Sequence, residues 1–363
     1  MKLKFTFVLL FYSLHTAFLV GADTPRAALL VLTKTDHLLS IVDPETLKVM
    51  SQLPSGPDPH EVVASADGKF AYISNYGGGA YNTITVADLA QQKSLPPIEL
   101  GPLRGPHGLM FVGGKLWFTA EAAKAIGSYD PSANKIDWVL GTGQDRTHMI
   151  FVSADLQRIV TSNVSSGTMT IIEKITGRRR GFGPGPGPGG PPPGAPPPGM
   201  PNGPGGGSMG PPPVDWDETV VTVGHGAEGF DVSPDGKEIW AANAGDGTIS
   251  IVDVAGKKLT QTLPANVMSA NRLKFTPDGK LVFVSTLRGS DVAVFDTATR
   301  RNIKRVKVGT GAAGILMQPD GKRAYVACTP DNYIAIIDLQ SLEVTGHIQA
   351  GKQPDGLAWA LRP

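Results

Sequence analysis

The sequence predicts an all-β fold, a seven-bladed β-propeller, from three observations. A fifteen-residue frame of two alternating strands and a turn, such as IWAANAGDGTISIVD at 239–253, occurs six times without a gap. A seventh copy carries three extra residues in its turn. Each copy ends in an acidic residue, and these acids lie 42 to 45 residues apart except for one step of 80. A period near 43 residues with short strands is typical of one four-stranded blade per repeat.

The first 22 residues predict a cleaved export signal that is not part of the propeller. Lys2 and Lys4 precede an apolar run over 5–20, which ends in small residues suited to cleavage. A membrane anchor is the alternative, but three polar residues interrupt the run. We therefore expect the mature chain, 23–363, to lack a transmembrane anchor and to be periplasmic or secreted. Its single cysteine excludes an internal disulfide.

The two ends of the mature chain are predicted to share blade 1. Leu29–Leu32, Leu38–Val42 and Leu47–Leu53 have strand patterns, but no strand precedes them. The missing innermost strand is supplied by Gly356–Leu361 at the C-terminus. Closing the ring in this way removes an open sheet edge.

The other six blades follow in chain order. The long step of 80 residues contains the run 181–213, with 13 Gly and 14 Pro among 33 residues and no charge. Such a segment has no apolar surface for a core, so it predicts a disordered insert between the third and fourth strands of blade 4. The innermost strands of blades 2 to 7 are predicted to begin near His60, His107, His148, Glu228, Asn271 and Ala313.

Net charge is +1, which by itself indicates no polyanionic partner. Basic residues nevertheless gather in the loops between the third and fourth strands of blades 4, 5 and 6. This "basic patch" predicts contact with an anionic surface such as lipid head groups, polysaccharide or nucleic acid, and the alternative is solubilising charge at outer strand edges. Its members are Arg178, Arg179, Arg180, Lys257, Lys258, Arg300 and Arg301.

Two sequence patterns resemble known families. SPDGKEIWAANAGDGTISIVD and QPDGKRAYVACTPDNYIAIID are similar to YVTN-type seven-bladed propeller repeats, and the likeness covers nearly the whole mature chain. The segment 105–131, GPHGLMFVGGKLWFTAEAAKAIGSYDP, resembles the repeat of streptogramin (virginiamycin B) lyase, with the acid displaced to Glu121. The first resemblance implies a fold shared by surface proteins, DNA- or carbohydrate-binding proteins and enzyme scaffolds. The second implies funnel His and Glu residues that act with a magnesium ion.

Candidate site residues come from the loops that meet at one mouth of the channel, here called the funnel. When the seven blades are aligned at the start of the innermost strand, the residue at that position is polar in most of them. In three consecutive blades this residue is histidine. Imidazoles at this spacing suggest a divalent metal site, and the alternative is a hydrated polar funnel whose histidines bond loop carbonyls. The ligand-binding candidates are His60, His107, His148, Glu228, Asn271 and Asp355, with Arg104 and Arg146 as possible anion contacts. The metal-ligand candidates are His60, His107 and His148.

The sequence has no contiguous catalytic motif that would name a reaction. It favours a scaffold that binds a small-molecule or protein ligand at the funnel. The alternative is a metal-assisted lyase or lactonase that uses the funnel His and Glu residues, so the sequence leaves open whether the protein is an enzyme.

Overall fold

A computed structural model describes residues 26–176 and 214–362. These residues form seven four-stranded antiparallel sheets, which confirms the predicted seven-bladed β-propeller. The predicted export signal, 1–22, and the Gly/Pro-rich insert, 181–213, lie outside the described residues. Within the described ranges, helical structure is limited to two short 3-10 helices, Gly77–Gly79 and Glu121–Ala123. Neither has the length or apolar character needed to cross a membrane.

Each blade contributes its innermost strand to the wall of a central channel. Blade 1 consists of β1 Ala27–Thr33, β2 Leu38–Val42, β3 Val49–Pro54 and the C-terminal β28 Pro354–Leu361. Blade 2 consists of β4 Pro59–Ala64, β5 Phe70–Asn75, β6 Thr83–Asp88 and β7 Lys93–Glu99. Blade 3 consists of β8 Pro106–Val112, β9 Lys115–Ala120, β10 Ala125–Asp130 and β11 Lys135–Gly141. Blade 4 consists of β12 Thr147–Val152, β13 Arg158–Asn163, β14 Thr168–Thr176 and β15 Val214–Thr222.

The last three blades repeat the same order. Blade 5 consists of β16 Ala227–Val232, β17 Glu238–Asn243, β18 Thr248–Asp253 and β19 Lys258–Pro264. Blade 6 consists of β20 Ala270–Phe275, β21 Leu281–Thr286, β22 Asp291–Asp296 and β23 Arg301–Lys307. Blade 7 consists of β24 Ala312–Met317, β25 Arg323–Cys328, β26 Tyr333–Asp338 and β27 Glu343–Ile348.

The ring closes as the sequence predicts. Strand β28 pairs antiparallel with β1, from Ala27 opposite Leu361 to Thr33 opposite Pro354. Several boundaries differ from the prediction: β1 begins at Ala27 and not at Leu29, and β28 begins at Pro354 and not at Gly356. The fourth strand of blade 1 begins at Val49 and not at Leu47. Leu47 has a positive φ of 60° and lies in the preceding turn.

The hydrophobic core lies between neighbouring blades. Large residues at the second position of the repeated frame fill these interfaces, and Trp240, Phe283 and Tyr325 are fully buried there. Trp240 packs with side chains of the next blade, including Phe275. Each blade is therefore stabilised by contacts with its two neighbours. Loss of one blade's packing would weaken the blades on both sides of it.

Innermost strands approach one another closely where they line the channel. The third residue of the strand is glycine in four blades, at Gly108, Gly229, Gly314 and Gly356. A Cβ on Gly314 would lie 2.2 Å from the backbone oxygen of Asp355, and one on Gly108 would lie 2.5 Å from that of His148. Glycine at these positions permits strand contacts that any larger residue would disrupt.

Candidate functional site

The funnel leads into a pocket of about 380 Å³, here called the funnel pocket. Nearly all the predicted site residues line it, which brings blades 1 to 6 together at one place. Arg104 is exposed and is not part of the lining. The predicted residues that line the pocket are His60, His107, Arg146, His148, Glu228, Asn271 and Asp355.

Local backbone geometry aims these side chains at the pocket. The residue before every innermost strand has a positive φ, from 44° at Asp58 to 72° at Gly226. Arg146, at 55°, adopts this conformation despite carrying a side chain, which is uncommon outside glycine. A register shift then follows in β12 between Thr147 and Ile150. Such a bulge re-aims a side chain, and here the affected segment includes His148.

Hydroxyl groups on the second strands hold the site backbone in place. Thr119 accepts a hydrogen bond from the Gly108 amide at 2.9 Å and donates to the His148 carbonyl at 2.8 Å. Ser162 donates to the Glu228 carbonyl at 2.8 Å. Buried hydrogen bonds of this kind tie each innermost strand to the preceding blade, so the pocket side chains stand on a rigid frame.

His107 and His148, which line the pocket, form a buried cluster with Glu121, which is not part of the lining; it is here called the His/Glu cluster. One ligand-type atom from each of the three lies within 4.8 Å of the others. The rings of His107 and His148 lie with centroids 3.8 Å apart and are tilted by 35°, and His148 Nδ1 makes a short hydrogen bond with Glu121 Oε1. The cluster therefore keeps two of the three predicted metal-ligating histidines and adds Glu121.

The second carboxylate oxygen of Glu121 also has partners. The Tyr76 hydroxyl donates to Glu121 Oε2 at 2.6 Å, and Arg146 Nε lies 3.6 Å from the same atom. Burial together with this carboxylate raises the pKa of Tyr76 to about 12, so the phenol keeps its proton. These contacts fix the carboxylate as an acceptor facing His148.

The two neighbouring histidines, His107 and His148, have opposite electrostatic environments. Burial, reinforced by the nearby positive groups, holds the pKa of His107 well below its usual range. Burial also disfavours the charged form of His148, but Glu121 and Glu228 outweigh it and raise the pKa of His148. In the metal-free protein, a proton is therefore held more readily by His148, between two carboxylates, than by His107.

Three buried polar atoms of the pocket have no hydrogen-bond partner among the described residues: His107 Nδ1, His148 Nε2 and Asn271 Oδ1. His148 Nε2 lies 3.2 Å from Glu228 Oε1, but the contact does not have hydrogen-bond geometry. Buried polar atoms are normally satisfied, and exceptions call for an unseen water, ion or ligand. His107, Glu121 and His148 are therefore residues that could hold a metal ion.

His60 belongs to a neighbouring group of charges. Lys34 Nζ lies 2.6 Å from His60 Nε2, 3.4 Å from Asp58 and 3.5 Å from Asp355. The rings of His60 and His107 are 5.0 Å apart. His60 thus contacts the His/Glu cluster through its ring and uses its nitrogens in the group around Lys34.

A second set of residues crosses the channel below the funnel pocket. Arg272 Nη2 forms an ion pair with Glu61 Oε1, which joins blade 6 to blade 2. Arg272 lines the funnel pocket and is almost fully buried. Sequence reasoning missed Arg272, Tyr76 and Lys34. The sequence did contain a signal for Arg272 at the third residue of the innermost strands. Four blades have glycine at this position, whereas blades 2 and 6 have the opposite charges Glu61 and Arg272.

Two of the four described members of the basic patch are paired within the protein. Lys257 Nζ lies 2.9 Å from Glu173, and Arg300 bonds Glu238 at 2.5 Å while stacking over Trp240. Two further members, Lys258 and Arg301, are exposed, whereas Arg178, Arg179 and Arg180 lie outside the described residues. Contact with an anionic surface stays a prediction.

Replacing Glu228 with Gln is expected to flatten the acid dependence of stability in the metal-free protein. Burial alone would raise the pKa of Glu228, but its contact with His148 outweighs burial and lowers it to about 2. A lowered pKa gives stability that is present above the unfolded value of about 4.3 and is lost as pH falls through about 2. The wild-type advantage over Glu228→Gln should therefore shrink by about 3 kcal/mol between pH 5 and pH 2.

Urea unfolding at several pH values measures this difference. The exposed Glu343→Gln variant is the matched control and should show little pH-dependent change. A wild-type advantage over Glu228→Gln that stays constant from pH 5 to pH 2 would contradict the assigned pairing.

Comparison with known proteins supports the fold. No protein-family model matches the sequence. Antigen Lp49 from Leptospira interrogans is 26% identical over 150 residues, which cover 36% of this chain and 33% of that protein. The chain thus spans about a third of the length of this curated relative.

Two solved structures cover most of the chain. A protein of unknown function from Desulfotomaculum acetoxidans has a TM-score of 0.69 at 14% identity, over 92% of this chain and 98% of that one. A Bacteroides fragilis protein, provisionally assigned as a 6-phosphogluconolactonase, has a TM-score of 0.65 at 18% identity, over 92% and 97% of the two chains. At these identities the likeness shows the β-propeller fold, and the finer resemblance to YVTN-type and lyase repeats stays a prediction.

Proposed function

We propose that this protein binds a small polar ligand in the funnel pocket through a divalent transition-metal ion held by His107, Glu121 and His148. The observation that carries the proposal is the buried His/Glu cluster, whose ligand-type atoms converge within 4.8 Å while one nitrogen of each imidazole lacks a hydrogen bond. We place this binding outside the cytoplasm, in keeping with the predicted export signal.

The donor set indicates which metals fit. Two imidazoles and one carboxylate suit zinc or iron(II), whereas magnesium prefers oxygen ligands. His107 holds a proton less readily and is ready to ligate, while any proton that His148 shares with Glu121 must first be lost. Tyr76 and Arg146 contact Glu121 Oε2 and orient its carboxylate, as residues next to metal ligands commonly do.

The rest of the pocket suits a polar ligand. Lys34, Arg146 and Arg272 supply positive charge along the lining, while Glu228 and Asp355 supply negative charge. Leu287 and Ala313 add apolar surface on the side of blades 6 and 7. A metal in the cluster would act there as a Lewis acid toward an oxygen of the ligand.

A metal-assisted lyase or lactonase is the second candidate. Glu228 places an ionised carboxylate on the pocket wall beside His148, where a proton acceptor is useful for hydrolysis or elimination. Solved propellers of similar fold include the protein provisionally assigned as a 6-phosphogluconolactonase. Turnover of glucono-δ-lactone by the zinc-loaded protein, lost in Glu228→Gln, would favour catalysis over binding alone.

Added zinc is expected to raise the thermal midpoint of the metal-stripped protein by several degrees. A ligand present at 100 times its Kd stabilises the folded state by about 2.7 kcal/mol. The variants His107→Ala and Glu121→Gln should lose this shift, because each removes one of three ligands. Differential scanning calorimetry at pH 7.5 measures the effect.

His225→Ala is the matched control, since His225 lies at the funnel face with its side chain 90% exposed and outside the cluster. It should respond to zinc as the wild type does. An unchanged wild-type midpoint with zinc and with iron(II), or an equal shift in His107→Ala, would contradict the metal site.

A further inference from the structure

The channel holds a second cavity below the funnel pocket. This "lower chamber" has a volume of about 320 Å³ and is walled by the innermost strands. Its wall is mainly apolar, with large side chains such as Val63, Met110, Phe151 and Leu316 that are only half-buried. Half-buried apolar side chains around a cavity favour an apolar occupant.

The Glu61–Arg272 ion pair separates the two cavities. Arg272 lines both of them, whereas Glu61 lines only the lower chamber. Arg272 Nη2 donates to Glu61 Oε1, and Nη1 donates to the Asn271 carbonyl at 3.1 Å. No described residue donates a hydrogen bond to the second oxygen of Glu61. The inner end of the chamber therefore offers one unused acceptor beside a guanidinium.

The charges beside the Glu61–Arg272 pair determine which head group a ligand of the lower chamber can have. Glu61 and Arg272 neutralise one another, and so do Asp231 and Lys274, which also line the chamber and lie 3.8 Å apart. A charged head group would therefore enter a site with no net charge to compensate it. A carboxylate would be repelled by Glu61, and an ammonium would be repelled by Arg272. A neutral group that donates to Glu61 and accepts from Arg272 meets neither penalty.

We propose that the lower chamber binds a neutral amphiphile, an apolar chain that ends in an alcohol or primary amide. The head group contacts the Glu61–Arg272 pair, and the chain lies against Val63, Met110, Phe151 and Leu316. An apolar cavity of about 150 Å³ suffices for benzene in another protein, so a chain of a few carbons is within the capacity of this one. The site is independent of the metal in the funnel pocket.

Titration calorimetry with straight-chain alcohols tests the chain contact on the full protein. From propan-1-ol to hexan-1-ol, affinity should rise about fourfold per methylene, with one molecule bound per chain. Hexanoate and hexylammonium should bind at least tenfold more weakly than hexan-1-ol. Equal affinity for the three, or no dependence on chain length, would overturn the proposal.

Variants locate the binding. Leu316→Asn and Val63→Asn, which alter two innermost strands of the chamber wall, should each weaken hexan-1-ol at least tenfold. Val139→Asn, at an exposed apolar residue on β11, is the matched control and should bind as the wild type does. His107→Ala should also keep hexan-1-ol binding, because it alters only the funnel pocket. If both chamber variants bind hexan-1-ol normally, the proposal is wrong, whatever the outcome of the zinc experiment.

Discussion

Removal of residues 354–363 is expected to abolish cooperative folding of the propeller. They include β28, Pro354–Leu361, the innermost strand of blade 1, which pairs with β1 from one end to the other. Without it, β1 becomes an open edge, and Leu29 and Leu30, which are fully buried, lose the strand that covers them. Each such side chain contributes about 1.5–3 kcal/mol by burial, and total stabilities are only about 5–15 kcal/mol.

Circular dichroism during urea unfolding measures the outcome. A chain that lacks Pro363 alone is the control and should unfold at the wild-type urea concentration. A synthetic peptide of residues 354–363, added to the truncated chain, should restore a cooperative transition if the missing strand pairing is the cause. A truncated chain that unfolds cooperatively at the wild-type midpoint without the peptide would contradict the role given to β28.

Replacing Arg272 with Met is expected to destabilise the protein by about 3–5 kcal/mol. The substitution leaves the Glu61 carboxylate in the channel without its ion-pair partner, and an unpaired buried charge costs this much. The nearby negative charges, with Glu61 foremost among them, outweigh burial and raise the pKa of Arg272, so its guanidinium is charged in the wild type. The double variant Glu61→Leu/Arg272→Met should recover most of the loss, because both charges are then absent.

Unfolding free energies of the four proteins form a double-mutant cycle that measures the coupling. The exposed pair of Lys304 and Glu343 is the matched control, and Lys304→Met should cost less than about 1 kcal/mol. If the double variant is as unstable as the sum of the two single variants, Glu61 and Arg272 do not stabilise the channel as a pair.

The fold could be predicted from the sequence because its information is local and repeated. Each frame carries its own alternation of apolar and polar residues and its own turn. Because no strand precedes Leu29, the innermost strand of blade 1 had to come from the C-terminus. The error at Leu47 arose because an apolar residue in a turn continues the strand pattern. Periodicity reports which side chains are apolar and cannot report a positive φ.

The candidate site was only partly predictable, for a geometric reason. His107, His148 and Glu228 share one position in the repeat, so alignment of the blades places them together. Glu121 and Tyr76 lie in loops and in short 3-10 segments whose reach depends on loop conformation. The sequence therefore predicted the histidine row and Glu228, and the lyase-like repeat pointed to Glu121, but alignment of the blades could not predict that Glu121 contacts His148.

The location of a bound metal tests the central claim most directly. A crystal of the zinc-loaded protein, measured on both sides of the zinc absorption edge, gives the ion's position from anomalous scattering. We predict a single strong peak between His107, Glu121 and His148, within about 2.0–2.2 Å of one atom from each. A peak elsewhere in the funnel, or no peak in crystals of a protein that zinc does not stabilise, would contradict the proposed metal site.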